Sequence, residues 1–163
     1  MTSPDSTTMT PTQAYDFAQQ VLSYIEEAGL EHLVDLPTSR YVTTGEPVYD
    51  CEQVVVTIVS LQTGLPEGGQ SSTPQAISCQ DPWSLVMDIG IVRCGPRLEK
   101  NGTISHQALS GAAYSESIDS DVLMTALDSI AQDSISSVRA AITYGAYEGG
   151  FIATTMRLTA ALA

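Results

Sequence analysis

Two apolar stretches, residues 50–61 and 83–94, each predict a β-strand, in which successive side chains alternate between two faces. Paired antiparallel with Cys51 opposite Cys94, the two strands set Val54, Val56 and Ile58 against Ile91, Ile89 and Met87. That face is continuous hydrocarbon and requires a helix or a second sheet to cover it. The other face carries Val55, Thr57 and Val59 against Gly90, Asp88 and Val86, a mixed surface suited to partial burial or to a partner. The connection between the strands, residues 62–82, contains Gly64, Pro66, Gly68, Gly69, Pro74 and Pro82. It is too long for a tight turn and reads either as an interaction arm or as a solvated excursion.

A period near 3.6 governs the region before the strands. Ala14, Phe17, Val21, Tyr24, Ile25 and Ala28 repeat at helical spacing, with Thr10 as N-cap, Pro11 at the first helical position, Gln13 completing a capping box and Gly29 as the stop. Residues 1–9 have no apolar period and are expected to form a loose tail before a single domain over 10–163. A short strand is expected over 39–43, ahead of a Thr-Thr-Gly-Glu-Pro turn.

Beyond Gly95-Pro96 and a turn at Lys100, Asn101 and Gly102, Ser105 caps a further helical pattern. It runs through Ala108, Leu109, Ala112 and Ala113 and resumes at Val122, Leu123, Ala126, Leu127 and Ile130, as one bent helix or as two, to about Ser134. Asp119 and Asp121 suit the first turn of the later part, where carboxylates meet the positive end of the helix dipole. Residues 138–162 read as two strands meeting at Glu148, Gly149 and Gly150, the alternative being a helix continued to Ile142. The resulting class is α+β, an antiparallel sheet with helices packed on one face and a long hairpin loop.

Composition then narrows function. In 163 residues, 43% are apolar, enough at this length to bury roughly 70% of the unfolded surface. Nineteen acidic against six basic residues leave a net charge of −13, which disfavours a grip on nucleic-acid phosphates. No apolar run approaches a membrane span and the N-terminus lacks signal-peptide features, so a cytosolic product is expected. In that compartment Cys51, Cys79 and Cys94 are expected as thiols, with a Cys51–Cys94 disulfide formed later as the alternative.

Chemistry-bearing patterns are absent from the sequence. Cys51, Cys79, Cys94 and His106 lack the paired spacing of a zinc site, and His32 and His106 flank helices without a nucleophile elbow. No phosphate-binding glycine loop occurs, and the Asn101-Gly-Thr sequon has no meaning in a cytosolic product. Glu26 and Glu27 fall in the last turn of the first helix, against its dipole, and are read as solvated or partner-facing. Asp88 interrupts an apolar strand, either bonding the Thr57 hydroxyl or pointing at a neighbouring subunit. No enzyme activity, cofactor or metal is expected.

Three stretches carry a resemblance. Thr43-Thr-Gly-Glu-Pro-Val-Tyr-Asp-Cys-Glu-Gln-Val-Val-Val56, Ile89-Gly-Ile-Val-Arg-Cys-Gly-Pro96 and Glu148-Gly-Gly-Phe-Ile-Ala-Thr-Thr-Met-Arg157 resemble the small neck proteins of long-tailed phages of actinobacteria, and within them the tail terminators. The chain departs from that pattern in the Ser/Asp-rich segment after Gly111. The resemblance implies a helix-flanked antiparallel sheet in a structural virion protein, assembled in the host cytoplasm into a hexameric ring. Such a ring stops tail-tube polymerisation and joins the tube to the head-side connector, with DNA passing through unbound. Its expected contacts are Glu26 and Glu27, Pro66, Glu67 and Gln70 of the arm, and Asp88. The alternatives are another neck component, such as a head-tail stopper or adaptor, or a small acidic binding module or enzyme with a pocket over the mixed sheet face.

Overall fold

The computed structural model describes residues 9–63, 83–133, 137–145 and 150–162. Its elements are α1 (Pro11–Glu31), β1 (Ser39–Thr44), β2 (Gln53–Thr63), β3 (Trp83–Cys94), α2 (His106–Gln132), β4 (Ser137–Tyr144) and β5 (Phe151–Leu162). The fold is α+β: one five-stranded sheet in the order β1-β2-β3-β5-β4, with two helices. The loose tail expected over residues 1–9 and the arm over 62–82 fall almost wholly outside the described residues.

The hairpin register follows the alternation, with Val54 opposite Ile91, Val56 opposite Ile89 and Ile58 opposite Met87. Past Ile58 a bulge inserts one residue, so Ser60 rather than Val59 faces Val86. β5 continues the rows, placing Met156 beside Ile89 and Leu158 beside Met87, and β4 adds Ile142 beside Met156. One such row, Val42–Val56–Ile89–Met156–Ile142, crosses all five strands. These alternating positions share one hydrophobic cluster with Val21, Leu22 and Ile25 of α1 and Val122, Leu123, Ala126 and Ile130 of α2.

The sheet is mixed, not antiparallel as expected, because β1 runs parallel to β2. Thr44 lies beside Ile58 while Ser39 lies beside Gln53, so the chain must travel back the length of the strand before β2 starts. Residues 45–52 make this return in fewer residues than the dozen usual for a parallel crossover. Left-handed backbone at Gly45 (φ 97°) and Glu52 (φ 58°) turns the chain at its two ends. Between them Tyr49 lies on Gly90: a Cβ there would come within 2.8 Å of the Tyr49 ring, so β3 has a glycine where the crossover needs close approach.

The α1 capping box is present, Thr10 Oγ1 accepting from the Gln13 N–H and Gln13 Oε1 from the Thr10 N–H. Gly29, read as the stop, is buried inside the helix instead; a Cβ there would sit 2.5 Å from Leu36 Cδ1, so the glycine admits the returning chain. The helix ends two residues later, with Leu33 in left-handed conformation (φ 55°) and the Val34 N–H donating to Gly29 O. α2 is one helix of 27 residues capped by Ser105. Asp119 and Asp121 therefore lie in its middle, not in a first turn, and the fully buried residues begin only at Asp119. Residues 137–144 are strand, which excludes the helical extension to Ile142.

Candidate functional site

Two arginine–carboxylate pairs mark the two faces of the sheet. On the face away from the helices, Arg157 of β5 donates to both oxygens of Asp88 in β3, Nε to Oδ1 at 2.8 Å and Nη2 to Oδ2 at 2.7 Å. Asp88 thus bonds Arg157 and not Thr57, whose Oγ1 is buried without a partner. The reading from sequence failed because the β5 neighbour of Asp88 is 69 residues away. Tyr49 lies beside the pair; burial, then the Asp88 charge, raises its phenol pKa. The Arg157 side chain stays 61% exposed, so this is a surface pair with a modest part in stability.

On the helix side, Arg93 of β3 reaches Asp119 of α2 in a bidentate pair, Nε to Oδ2 and Nη2 to Oδ1, both at 2.8 Å. The Asp119 side chain is 2% exposed, and the Arg93 Nη1 group also donates to Asp35 O at 3.2 Å. The hydrogen bond to Asp119 raises the guanidinium pKa further above its ordinary value. Above the pair opens a cavity of about 470 Å³, lined by His32, Asp35, Arg93, Tyr114, Asp119 and Asp121 among others. The cavity is open and its lining mixed, with two large exposed side chains, Leu33 (94%) and Tyr114 (70%), beside the charged groups. Large exposed apolar side chains beside a groove suit burial against another protein.

Glu116, one turn before Asp119, has its Oε1 buried without a hydrogen-bond partner. Burial, then the Asp119 charge, raises its carboxyl pKa. A raised folded-state value means that the stability linked to Glu116 is full below the unfolded carboxyl value and is lost as pH rises through the folded one. Glu116→Gln is therefore expected to raise Tm at pH 7 and to leave it unchanged near pH 4, where the glutamate is protonated. Equal shifts at both pH values in thermal melts would contradict this origin.

The other residues singled out from sequence disperse. Glu26 meets Arg40 at 3.5 Å, and Arg40 also donates to Pro37 O and Leu36 O, so this carboxylate helps to fasten the start of β1 to α1. Glu27 is exposed. Pro66, Glu67 and Gln70 lie outside the described residues. Cys51 and Cys94 are free thiols, Cys51 half-buried and Cys94 exposed. His32 and His106 are both exposed, and His32 Nε2 lies 2.7 Å from Thr125 Oγ1. Among the described residues no cluster of His, Cys, Asp and Glu could hold a metal, and no helix is long and apolar enough to cross a membrane.

No protein-family model and no curated protein matches the chain. The site must be read from its own chemistry. Arg93 and Arg157 escaped the reading of the sequence as ion-pair partners, although a lone charge inside an apolar strand is a signal that a buried or bridging partner exists. Arg93 and Asp119 at the cavity, and Asp88 and Arg157 on the opposite face, are paired with each other, while Asp35 and Asp121 line the cavity outside any ion pair among the described residues. What remains available is surface: the outer edges of β1 and β4, which pair on one side only among the described residues, and the exposed side chains of Leu33 and Tyr114.

Proposed function

We propose that this chain is a structural virion protein, a tail terminator that closes into a ring, caps the tail tube and joins it to the head-side connector. The observation that carries the reading is where the three resembling stretches lie. They meet at one end of the sheet, where Gly150 O accepts from the Gly95 N–H at 2.8 Å and from the Cys51 thiol at 3.5 Å. Residues scattered over the sequence thus converge on one small structural unit. The open edges of β1 and β4 support it further, because ring closure needs heterologous contacts between copies and an unpaired strand edge supplies them.

Charge fits the same role. Three of the six basic residues, Arg40, Arg93 and Arg157, pair with Glu26, Asp119 and Asp88, which leaves the net charge of −13 to the other residues. A passage lined by so acidic a protein repels phosphates and lets a duplex slide. The partners of this reading are further copies of the chain, the tail-tube protein and a head-side stopper.

Removal of the gene from the phage that encodes the chain is the direct test. The expected result is tubes of uncontrolled length unattached to heads; normal particles lacking the protein would overturn the reading, as would a strict monomer that binds a small molecule over the sheet. Deleting residues 66–76 is a finer test. It is expected to leave the circular dichroism and melting of the domain intact while sharply reducing complete particles, and unchanged particle yields would remove the arm from the assembly contacts.

A further inference from the structure

We propose that Cys51 and Cys94 are a modification site, a thiol pair that a low-molecular-weight disulfide converts into an intramolecular bond fastening the crossover to the end of β3. The two residues continue the β2–β3 ladder two positions beyond the Gln53–Val92 pair, on the face away from the helices. Glu52, in left-handed conformation, takes Cys51 out of the regular ladder, which begins at Gln53. The Cys51 thiol donates to Gly150 O, which also accepts from the Gly95 N–H, and the Cys94 N–H donates to Glu52 Oε1 at 3.0 Å. Glu52 thus ties the crossover directly to Cys94, and Gly150 O holds Cys51 and Gly95 through a shared acceptor. Cross-strand Cβ atoms stand about 4.5–5.5 Å apart and a disulfide needs about 3.5–4.5 Å, a gap that a terminal residue outside the ladder can close.

Accessibility suits such a site, and acidity sets how slowly it reacts at neutral pH. Cys94 is exposed and within reach of a small oxidant, while Cys51 is half-buried behind it. The neighbouring Cys51 thiol, with smaller contributions from burial and Glu52, pushes the Cys94 thiol up to about 11. In reducing surroundings the pair therefore rests as thiols, and oxidation accelerates as pH rises.

The exchange balances with oxidised glutathione as co-reactant. A thiolate of the pair attacks it, forming a protein–glutathione S–S bond as the glutathione S–S bond breaks and one glutathione thiolate leaves. The second cysteine gives its proton to solvent, and its thiolate displaces the bound glutathione. Two protein thiols become one disulfide, and one glutathione disulfide becomes two thiols. The bond closes a long loop that includes residues 62–82, the case in which cross-linking most restricts the unfolded chain. The inference does not rest on the proposed function, although a particle assembled in a reducing cell and released outside it would acquire the bond afterwards.

The test uses the full chain, purified reduced, equilibrated with oxidised glutathione, alkylated and mapped by peptide mass spectrometry. The expected result is a peptide containing Cys51 linked to one containing Cys94, with Cys79 alkylated and Tm raised by roughly 5–15 °C until a dithiol reductant is added. Cys79→Ser is expected to keep the link and Cys94→Ser to lose it. Alkylation of both cysteines, glutathione adducts that never resolve, or a bond that takes Cys79 instead would overturn the proposal. A Cys51–Cys94 link with unchanged Tm would overturn the fastening.

Discussion

Arg93→Met is expected to destabilise the domain by about 3–5 kcal/mol, the cost of leaving a buried carboxylate without its counter-charge. Asp119 is almost wholly enclosed, and its side-chain partners among the described residues are the two guanidinium donors at 2.8 Å. Methionine keeps the length of the arginine stem, so little packing is lost and the effect isolates the charge. For a chain of this size the change lowers Tm by roughly 6–20 °C. The double replacement, Arg93→Met with Asp119→Leu, is expected to recover most of the loss, because two apolar side chains of similar volume need no desolvation to be offset. Urea titrations followed by circular dichroism give the comparison. A double variant as unstable as the single one would mean that Arg93 contributes by packing and by its bond to Asp35 O, not by neutralising Asp119.

Ile89→Ala is the second large effect, with an expected loss of about 3–4 kcal/mol from transfer and cavity terms together. Ile89 is fully buried and stands in the middle of the row that crosses all five strands, with Val56 and Met156 on either side and the helices above. A deletion at such a site cannot be refilled by collapse from solvent. Val42→Ala, in the same row but on the outer strand and only partly buried, is expected to cost less than half as much. The two urea midpoints read side by side decide the matter: equal losses would mean that the centre of the sheet is not where the core is tightest.

These two experiments probe different layers of the same design. The apolar rows hold the helices to the sheet, while the Arg93–Asp119 pair ties the middle of α2 to the end of β3, and the first half of α2 lies beyond the buried region. That first half, with the Leu33 and Tyr114 rim, is the part of the helix layer available to a partner. The smaller cavity of about 230 Å³ beyond Arg93, flanked by Pro96, Ala108 and Gly111, continues the same surface.

What the sequence determined by itself is what local rules can fix. The start of α1 depends on Thr10, Pro11 and Gln13, residues within one helical turn of each other. The β2–β3 register depends on the apolar positions of the helix-side face, since a slip of one residue would turn Val54, Val56, Ile89 and Ile91 away from the helices. Wherever the outcome depended on distant chain, the tertiary structure decided it. The direction of β1 was set by an eight-residue return path that needs Tyr49 to lie on Gly90, and the role of Gly29 by Leu36 arriving against it. The partners of Asp119 and Asp88, 26 and 69 residues away, were chosen by which strand and helix came to lie beside them. A charge in an apolar strand announces that it must be neutralised, because burying it alone is costly; only the packed sheet and helices determine by what.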